Sequence, residues 1–315
     1  MGNSGISTNL KGVLFACLTA FLWGFLPIFL KVSLKYLDPN SIVWFRFTFA
    51  AGVLIIYYLF TDRQQLQIFR RPPVLLVIAS LALGLNYIGF LQGVNYTSPS
   101  NAQIIIQTGP ILLALVGFIV YKERLNIKQM GGFAIAGIGL ILFYQNQLQG
   151  FLHDPQAFNN GFLWIEIGAV AWVLYAALQK KLVQKHPAQT LNMFLYGLPA
   201  LLYTPTVDFP AFAELSLPIW LIVIFLGVNT LVAYGSLAFA FKYTEAYKVS
   251  IIVTLNPIIT LIAMAVLSSM NVQWIKTENL DPVSMMGAAC VIGGAIIAVF
   301  FAKKNLMVAK AKITI

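Results

Sequence analysis

The chain has 315 residues, of which 59% are hydrophobic and only 10% are charged. Soluble domains usually carry roughly one quarter charged residues, so the composition excludes a soluble domain and indicates a membrane protein. The formal net charge of +10 does not indicate nucleic-acid binding, because no lysine cluster alternates with aromatic residues in a polar segment; basic loops on the cytoplasmic face of a membrane explain it better.

Ten apolar segments follow one another along the chain, and each is predicted to cross a hydrocarbon core of roughly 30 Å as a helix. They are residues 12–32, 42–60, 74–94, 101–120, 129–146, 161–183, 190–205, 218–241, 246–269 and 283–301. The seventh is short and contains Pro199 and Pro205. The first has no small-residue cleavage site, so we interpret it as an uncleaved span.

The basic residues alternate between the two sides of this arrangement. All but four of the 20 Lys and Arg residues fall before the first span, after the last span, or in every second loop and the span ends that border it. The exceptions are Lys31, Lys35, Lys276 and Arg46, the last of which lies within a span. Since Lys and Arg are enriched on the cytoplasmic side, both termini are predicted to be cytoplasmic in a multi-pass protein of the cell inner membrane.

The sequence also indicates an internal duplication. Trp23 matches Trp172 at an offset of 149, and Tyr96 matches Tyr243 at an offset of 147. Because each half has an odd number of spans, the second half crosses the membrane upside down. We predict an all-α membrane protein of ten transmembrane helices in two inverted five-helix repeats. The predicted units are a first repeat, residues 12–146; an outer connecting loop, 147–160; a second repeat, 161–302; and a basic cytoplasmic tail, 303–315.

Two matching polar stripes within apolar spans are the first candidate for a binding site. The stretches NAQIIIQTGP and KVSIIVTLNP place polar side chains at helical spacing before a proline: Gln103, Gln107 and Pro110 in the first, and Ser250, Thr254, Asn256 and Pro257 in the second. Amides and hydroxyls both donate and accept hydrogen bonds, which suits a polar substrate. Each proline removes a backbone donor and predicts a hinge. The alternative is that these residues only pack helices together.

Aromatic and amide residues extend the predicted site. Trp172, Tyr175 and Gln179 share one helical face, and Trp23 is the pseudo-symmetric partner of Trp172. The two indoles could enclose a flat apolar side chain or a cationic group, although lipid-facing or packing roles remain open. A further match between the two halves joins two polar dipeptides, Asn86-Tyr87 in the third span and Asn229-Thr230 in the eighth. These residues suit either substrate contact or helix packing.

Two charged residues, Arg46 and Glu166, lie at least four residues inside a predicted span. Arg46 could extend its side chain to the outer surface or bind a carboxylate of the substrate. Glu166 lies about 120° around its helix from Trp172, so we interpret it first as a structural partner and second as a proton-coupling group. Cys17, Cys290 and the two histidines form no metal-ligand cluster, so no metal site, cofactor or enzymatic activity is expected.

Several short motifs resemble the EamA family of the drug/metabolite transporter superfamily. They are Trp23-Gly24 in span one, Arg46-Phe47 in span two, the Pro110-containing span four and Glu123-Arg124-Leu125 before span five. The second half departs from this pattern, with Phe194 at the position that corresponds to Arg46. A symmetric pair of substrate-binding arginines is therefore not expected.

The resemblance implies a secondary transporter that exports small amphipathic metabolites, with amino acids or related compounds as the preferred class. Its expected partners are the small-molecule substrate and the lipid bilayer, with proton coupling and a monomeric or homodimeric state left open. The alternatives are antiport of phosphorylated sugars or nucleotide-sugars, export of drugs or cations, and a channel or scaffold. Phosphorylated substrates would favour paired Lys or Arg residues within the cavity, where the sequence offers only Arg46.

Overall fold

The computed structural model describes residues 8–109, 111–112, 127–153, 155–244, 249, 252–275 and 281–301, and no strand occurs among them. Their helices are α1 (Thr8–Ser33), α2 (Pro39–Thr61), α3 (Val74–Tyr96), α4 (Pro99–Ile105), α5 (Ile127–His153), α6 (Pro155–Leu182), α7 (Ala188–Tyr203), α8 (Phe209–Ala213), α9 (Leu217–Tyr243), α10 (Asn256–Ser269) and α11 (Pro282–Phe300). Two 3₁₀ helices, Arg63–Phe69 and Thr204–Thr206, connect them. The described part of the chain is therefore all-α, as predicted.

Five of these helices are long and apolar enough to cross a membrane: Leu10–Ser33, Pro39–Thr61, Val74–Tyr96, Asn160–Leu182 and Leu217–Tyr243. Shorter apolar helices cover Ile127–Phe143, Asn256–Ser269 and Pro282–Ile297. The chain is a membrane protein. The ten spans, their inverted relation and the cytoplasmic position of both termini stay predictions.

The segment between the predicted halves differs from the loop expected over residues 147–160. Helix α5 continues to His153, and α6 begins at Pro155. A proline is well suited to the first position of a helix, where its missing N–H would have no partner. The polar residues of this segment extend two helices beyond their apolar portions, which a hydropathy argument alone does not detect.

The helix ends are held by side chains. The Asp38 carboxylate accepts hydrogen bonds from the backbone N–H groups of Asn40 and Ser41 at 2.8 and 3.1 Å, which caps α2. The Lys31 ammonium, near the end of α1, donates to the carbonyls of Val94 and Asn95 at 2.8 Å each. It thus binds the carboxyl end of α3, where carbonyls lack partners within the helix.

The helices pack in pairs: α1 with α9, α3 with α6, α2 with α7, and α5 with α11. Glycines allow two of these pairs to approach closely. A methyl group added at Gly89 of α3 would lie 2.7 Å from the carbonyl oxygen of Trp164 in α6, and one added at Gly294 of α11 would lie 2.4 Å from the backbone nitrogen of Ala136 in α5. These glycines therefore serve packing within the chain.

Candidate functional site

Helix α4 and the segment before α10 are both interrupted at the polar stripes. Residues Ile106 and Gln107 form a turn after α4, and Thr254 and Leu255 form a turn before α10. Around each turn the backbone bonds span three residues instead of four, as in Gln107 N–H to Ile104 carbonyl at 3.1 Å and Leu255 N–H to Ile252 carbonyl at 3.1 Å. Both broken segments pack against α1, in the interior of the helix array.

Of the two prolines predicted as hinges, the structure describes Pro257 and not Pro110. Pro257 occupies the first turn of α10, directly after the interruption at Thr254 and Leu255. This is the place expected for a residue that removes a backbone donor and disfavours helix in the residue before it. Pro110 and Ser250 lie outside the described residues. A moving hinge at either proline stays a prediction.

A cavity of about 70 Å³ lies between the two interruptions. It is lined by Trp23, Leu26, Arg46, Asn86, Tyr87, Phe90, Gln103, Ile106, Gln107, Trp172, Tyr234, Val253 and Asn256. The wall combines five aromatic rings, four amides and one guanidinium among the described residues. It draws on helices from both predicted halves of the chain.

The amides of the broken segments form a hydrogen-bond network across the cavity. The Gln107 side-chain nitrogen donates to Asn256 Oδ1 and to the Gln103 carbonyl, both at 3.2 Å, and the Gln103 side chain donates to the Trp23 carbonyl at 2.9 Å. Gln107 and Asn256 thus connect the two interruptions directly. Within the described chain, Gln107 Oε1 and Trp23 Nε1 are buried without a hydrogen-bond partner. One acceptor and one donor of the cavity-lining side chains are therefore unsatisfied within the described chain.

Arg46 lies in the cavity wall and not at the surface. Its side chain is 2% exposed. The Nε–H donates to the Thr230 hydroxyl at 3.1 Å, and the guanidinium carbon lies 4.3 Å from the centre of the Tyr87 ring. Both partners are neutral, so the positive charge of Arg46 faces a cavity whose described lining contains no carboxylate.

Tyr234 is a cavity residue that our sequence analysis did not identify. Its ring centre lies 5.1 Å from that of Trp23 and 5.3 Å from that of Tyr87, and its hydroxyl donates to Asn86 Oδ1 at 3.2 Å. The sequence contained a usable signal, since the offset of 147 that matches Tyr96 with Tyr243 also matches Tyr87 with Tyr234. The match of Asn86 with Asn229 has an offset of 143 and therefore does not lead to Tyr234.

Four predicted site residues lie outside the cavity lining. Gln179 donates to Asn192 Oδ1 of α7 at 3.1 Å, and Asn229 donates to the Leu22 carbonyl of α1 at 2.9 Å. Tyr175 is fully buried beside Tyr234, with 5.8 Å between the ring centres, and Thr254 is buried within the turn before α10. The amides of Gln179 and Asn229 hold neighbouring helices together, which was the alternative for Asn229.

Glu166 of α6 is half-buried and does not line the cavity. Its role in proton coupling stays a prediction. Among the described residues, His, Cys, Asp and Glu do not gather into a group of three or more that could hold a metal ion.

The comparisons with known proteins place these features in a family context. A model of the EamA-like transporter family matches residues 10–145 and again residues 159–300. An uncharacterized transporter of Haemophilus influenzae is 31% identical over 290 residues, covering 92% of this chain and 94% of that protein. The uncharacterized inner membrane transporter YhbE of Escherichia coli is 31% identical over 287 residues, covering 90% of this chain and 89% of that protein.

More distant similarities were also found. A probable amino-acid metabolite efflux pump of Salmonella typhimurium is 24% identical over 299 residues, covering 90% of this chain and 93% of that protein. One crystal structure shares the fold with a TM-score of 0.65 at 17% sequence identity, covering 93% of this chain and 98% of the other.

Proposed function

Because the chain belongs to the EamA-like transporter family, we propose that it is a secondary transporter that exports small amphipathic metabolites, amino acids or related compounds, by alternating access. The membrane-transporter class follows from family membership. The substrate class, the export direction, the bacterial inner membrane and the mechanism are our proposal.

The observation that carries this proposal is the cavity at the meeting point of two interrupted helices. Discontinuous helices that meet at a polar site between repeats are a recurring feature of secondary transporters. Here the interruptions at Ile106–Gln107 and Thr254–Leu255 are joined by the hydrogen bond between Gln107 and Asn256. A rocking motion of one half against the other would break or remake this bond and open the cavity toward one side at a time.

Two related helix contacts support two structurally similar halves. A methyl group at Gly12 of α1 would lie 2.8 Å from Thr244 Cβ, and one at Gly161 of α6 would lie 2.5 Å from Thr97 Cγ2. Gly12 and Gly161 are 149 residues apart, and Thr97 and Thr244 are 147 apart. The pairing of α1 with α9 thus uses the same kinds of residue as the pairing of α6 with α3.

The size and chemistry of the cavity support a small amphipathic substrate. Since a buried water needs about 10–15 Å³ of such space, a cavity of about 70 Å³ holds roughly five waters or one small metabolite. Trp23, Trp172 and Phe90 offer apolar surface, while Gln107 and Asn256 offer hydrogen bonds. The relative described as a probable amino-acid metabolite efflux pump is consistent with this class.

The proposal is tested by flux measurements on purified protein in proteoliposomes, with radiolabelled amino acids that raise its melting temperature as candidate substrates. We expect saturable, stereoselective flux, which a channel or scaffold would not give. Trp172→Ala and Gln107→Ala should each lower the flux at least about tenfold, a loss of about 1.4 kcal/mol of interaction. Each truncation removes a cavity-lining side chain.

Matched controls come from exposed positions outside the cavity. Trp274→Ala and Gln67→Ala remove the same side-chain types where they are solvent-exposed, and both should keep the parental flux. If Trp172→Ala and Gln107→Ala transport as well as these controls, the assignment of the site is wrong.

A further inference from the structure

We propose that Arg46 is a carboxylate-binding subsite, so that the cavity selects molecules with one carboxylate and an apolar remainder over amides and amines of the same shape. This inference rests on the proposed transport function and specifies its substrate class. It starts from the burial and the neutral surroundings of the Arg46 guanidinium.

A buried guanidinium without an anionic partner is costly. Removing an ion from water costs several kcal/mol even after the protein relaxes, and the cost is recovered only by a well-placed counter-ion and hydrogen bonds. The side chain of Arg46 is 2% exposed, and the groups that hold it include the neutral Thr230 hydroxyl and the face of the neutral Tyr87 ring. The hydroxyl and the ring orient the charge but do not neutralise it.

The described acidic residues lie elsewhere. Glu166 is on α6 and does not line the cavity. The other described acids stand at or beyond helix ends: Asp38, Asp62, Asp208, Glu214 and Asp281. Within the described part of the chain, the anion that faces Arg46 therefore has to arrive with the ligand.

The way Arg46 is held suits a carboxylate. The bond from Nε to Thr230 and the contact with the Tyr87 ring fix the plane of the guanidinium. A guanidinium fixed in this way can offer two parallel N–H donors, which match the two oxygens of a carboxylate. A single cation in the described lining favours one carboxylate and disfavours phosphorylated substrates, which carry more charge.

Other residues of the cavity wall suit an apolar remainder. Trp23 and Trp172 bring indole rings into the lining, and Phe90 and Leu26 add purely apolar surface. Gln107 Oε1, buried without a partner in the described chain, can accept one hydrogen bond from an amino or hydroxyl group. An apolar α-amino acid would satisfy all of these groups together.

The test compares acids with their uncharged analogues. Binding to purified protein is measured by isothermal titration for leucine, phenylalanine and tryptophan, for their primary amides and for the corresponding decarboxylated amines. We expect at least one acid to bind at least tenfold more tightly than its amide and its amine. In Arg46→Gln this ratio should fall to about one, whereas Arg46→Lys should keep part of it.

The ratio separates recognition from folding, because a variant that only distorts the cavity weakens acid and amide together. Arg63→Gln removes the same charge from an exposed 3₁₀ helix and should keep the parental ratio. Equal affinity for acids and amides in the parent, or an unchanged ratio in Arg46→Gln, would overturn the carboxylate subsite. Neither result would contradict the proposed transport function. If no compound of the panel binds, the proposed substrate class fails together with the subsite.

Discussion

The close contact of α3 and α6 gives a quantitative prediction for Gly89→Ala. The added methyl group would lie 2.7 Å from the Trp164 carbonyl oxygen and 2.9 Å from the Gly168 nitrogen. Both atoms belong to the backbone, so no side-chain rotation can relieve the overlap and the two helices have to separate. Overpacking of this kind typically costs about 1–3 kcal/mol.

Gly52→Ala in α2 is the matched control, because no described atom lies within 4 Å of the methyl group that it would add. Both substitutions replace a helical glycine by alanine, which contributes a gain of up to about 1 kcal/mol in each. This common gain cancels in the comparison. The free energy of unfolding should therefore be about 1–3 kcal/mol lower for Gly89→Ala than for Gly52→Ala.

Unfolding in mixed micelles, titrated with a denaturing detergent and followed by circular dichroism, measures this difference. Separation of α3 from α6 should also weaken the 3.0 Å bond from the Asn86 side chain to the Gly168 carbonyl. Asn86 lines the cavity, so the shape of the cavity wall should change as well. Ligand affinity should then fall in Gly89→Ala and not in Gly52→Ala. Equal unfolding free energies for the two variants would refute the close helix contact.

Two further predictions concern single polar groups. The Tyr196 hydroxyl is buried without a partner in the described chain, whereas the Tyr203 hydroxyl donates to the Gly84 carbonyl at 3.2 Å. Tyr196→Phe should therefore be neutral or stabilising in thermal unfolding and Tyr203→Phe should cost about 0.5–1.5 kcal/mol; an equal loss in both would contradict this. Hydrogen bonds from the side chain and backbone of Ser284 lower the pKa of Asp281 at the start of α11. Because the folded pKa lies below the unfolded one, the carboxylate stabilises the folded state above about pH 4 and loses this contribution as the pH falls through the folded pKa. The difference in melting temperature between the parent and Asp281→Ala should therefore shrink from pH 7 toward pH 3, and a constant difference would argue against the cap.

The sequence predicted the helices and much of the cavity lining because both depend on local patterns. Apolar length identified the long helices, and the proline with its preceding polar residues marked the interruption before α10. Helical spacing and the repeated register selected Trp23, Gln107 and Trp172, which the structure brings to one cavity. These signals are internal to a single segment or to the comparison of two segments.

Other features depend on which helix lies opposite, and spacing within one segment does not contain that information. Gln179 shares a helical face with Trp172 in the sequence, yet in the structure its amide meets Asn192 of the neighbouring α7. From its position near the start of α2, the side chain of Arg46 could reach either the outer surface or the cavity. Its direction is decided by Thr230 of α9 and Tyr87 of α3, whose proximity is a property of the packed protein.

The two predicted halves contain similar helix contacts but differ in the charge that they bring to the cavity, and this difference bears on how a substrate would be oriented. Arg46 corresponds to Phe194 at an offset of 148. Phe194 is 5% exposed, packs with its ring centre 5.5 Å from that of Phe69, and does not line the cavity. The described lining therefore holds its positive charge on the side of the first half alone. A carboxylate bound there would keep one orientation in the cavity. Under the alternating access that we propose, one end of the molecule would then face the opening on one side of the membrane, and the other end would face the opening on the other side.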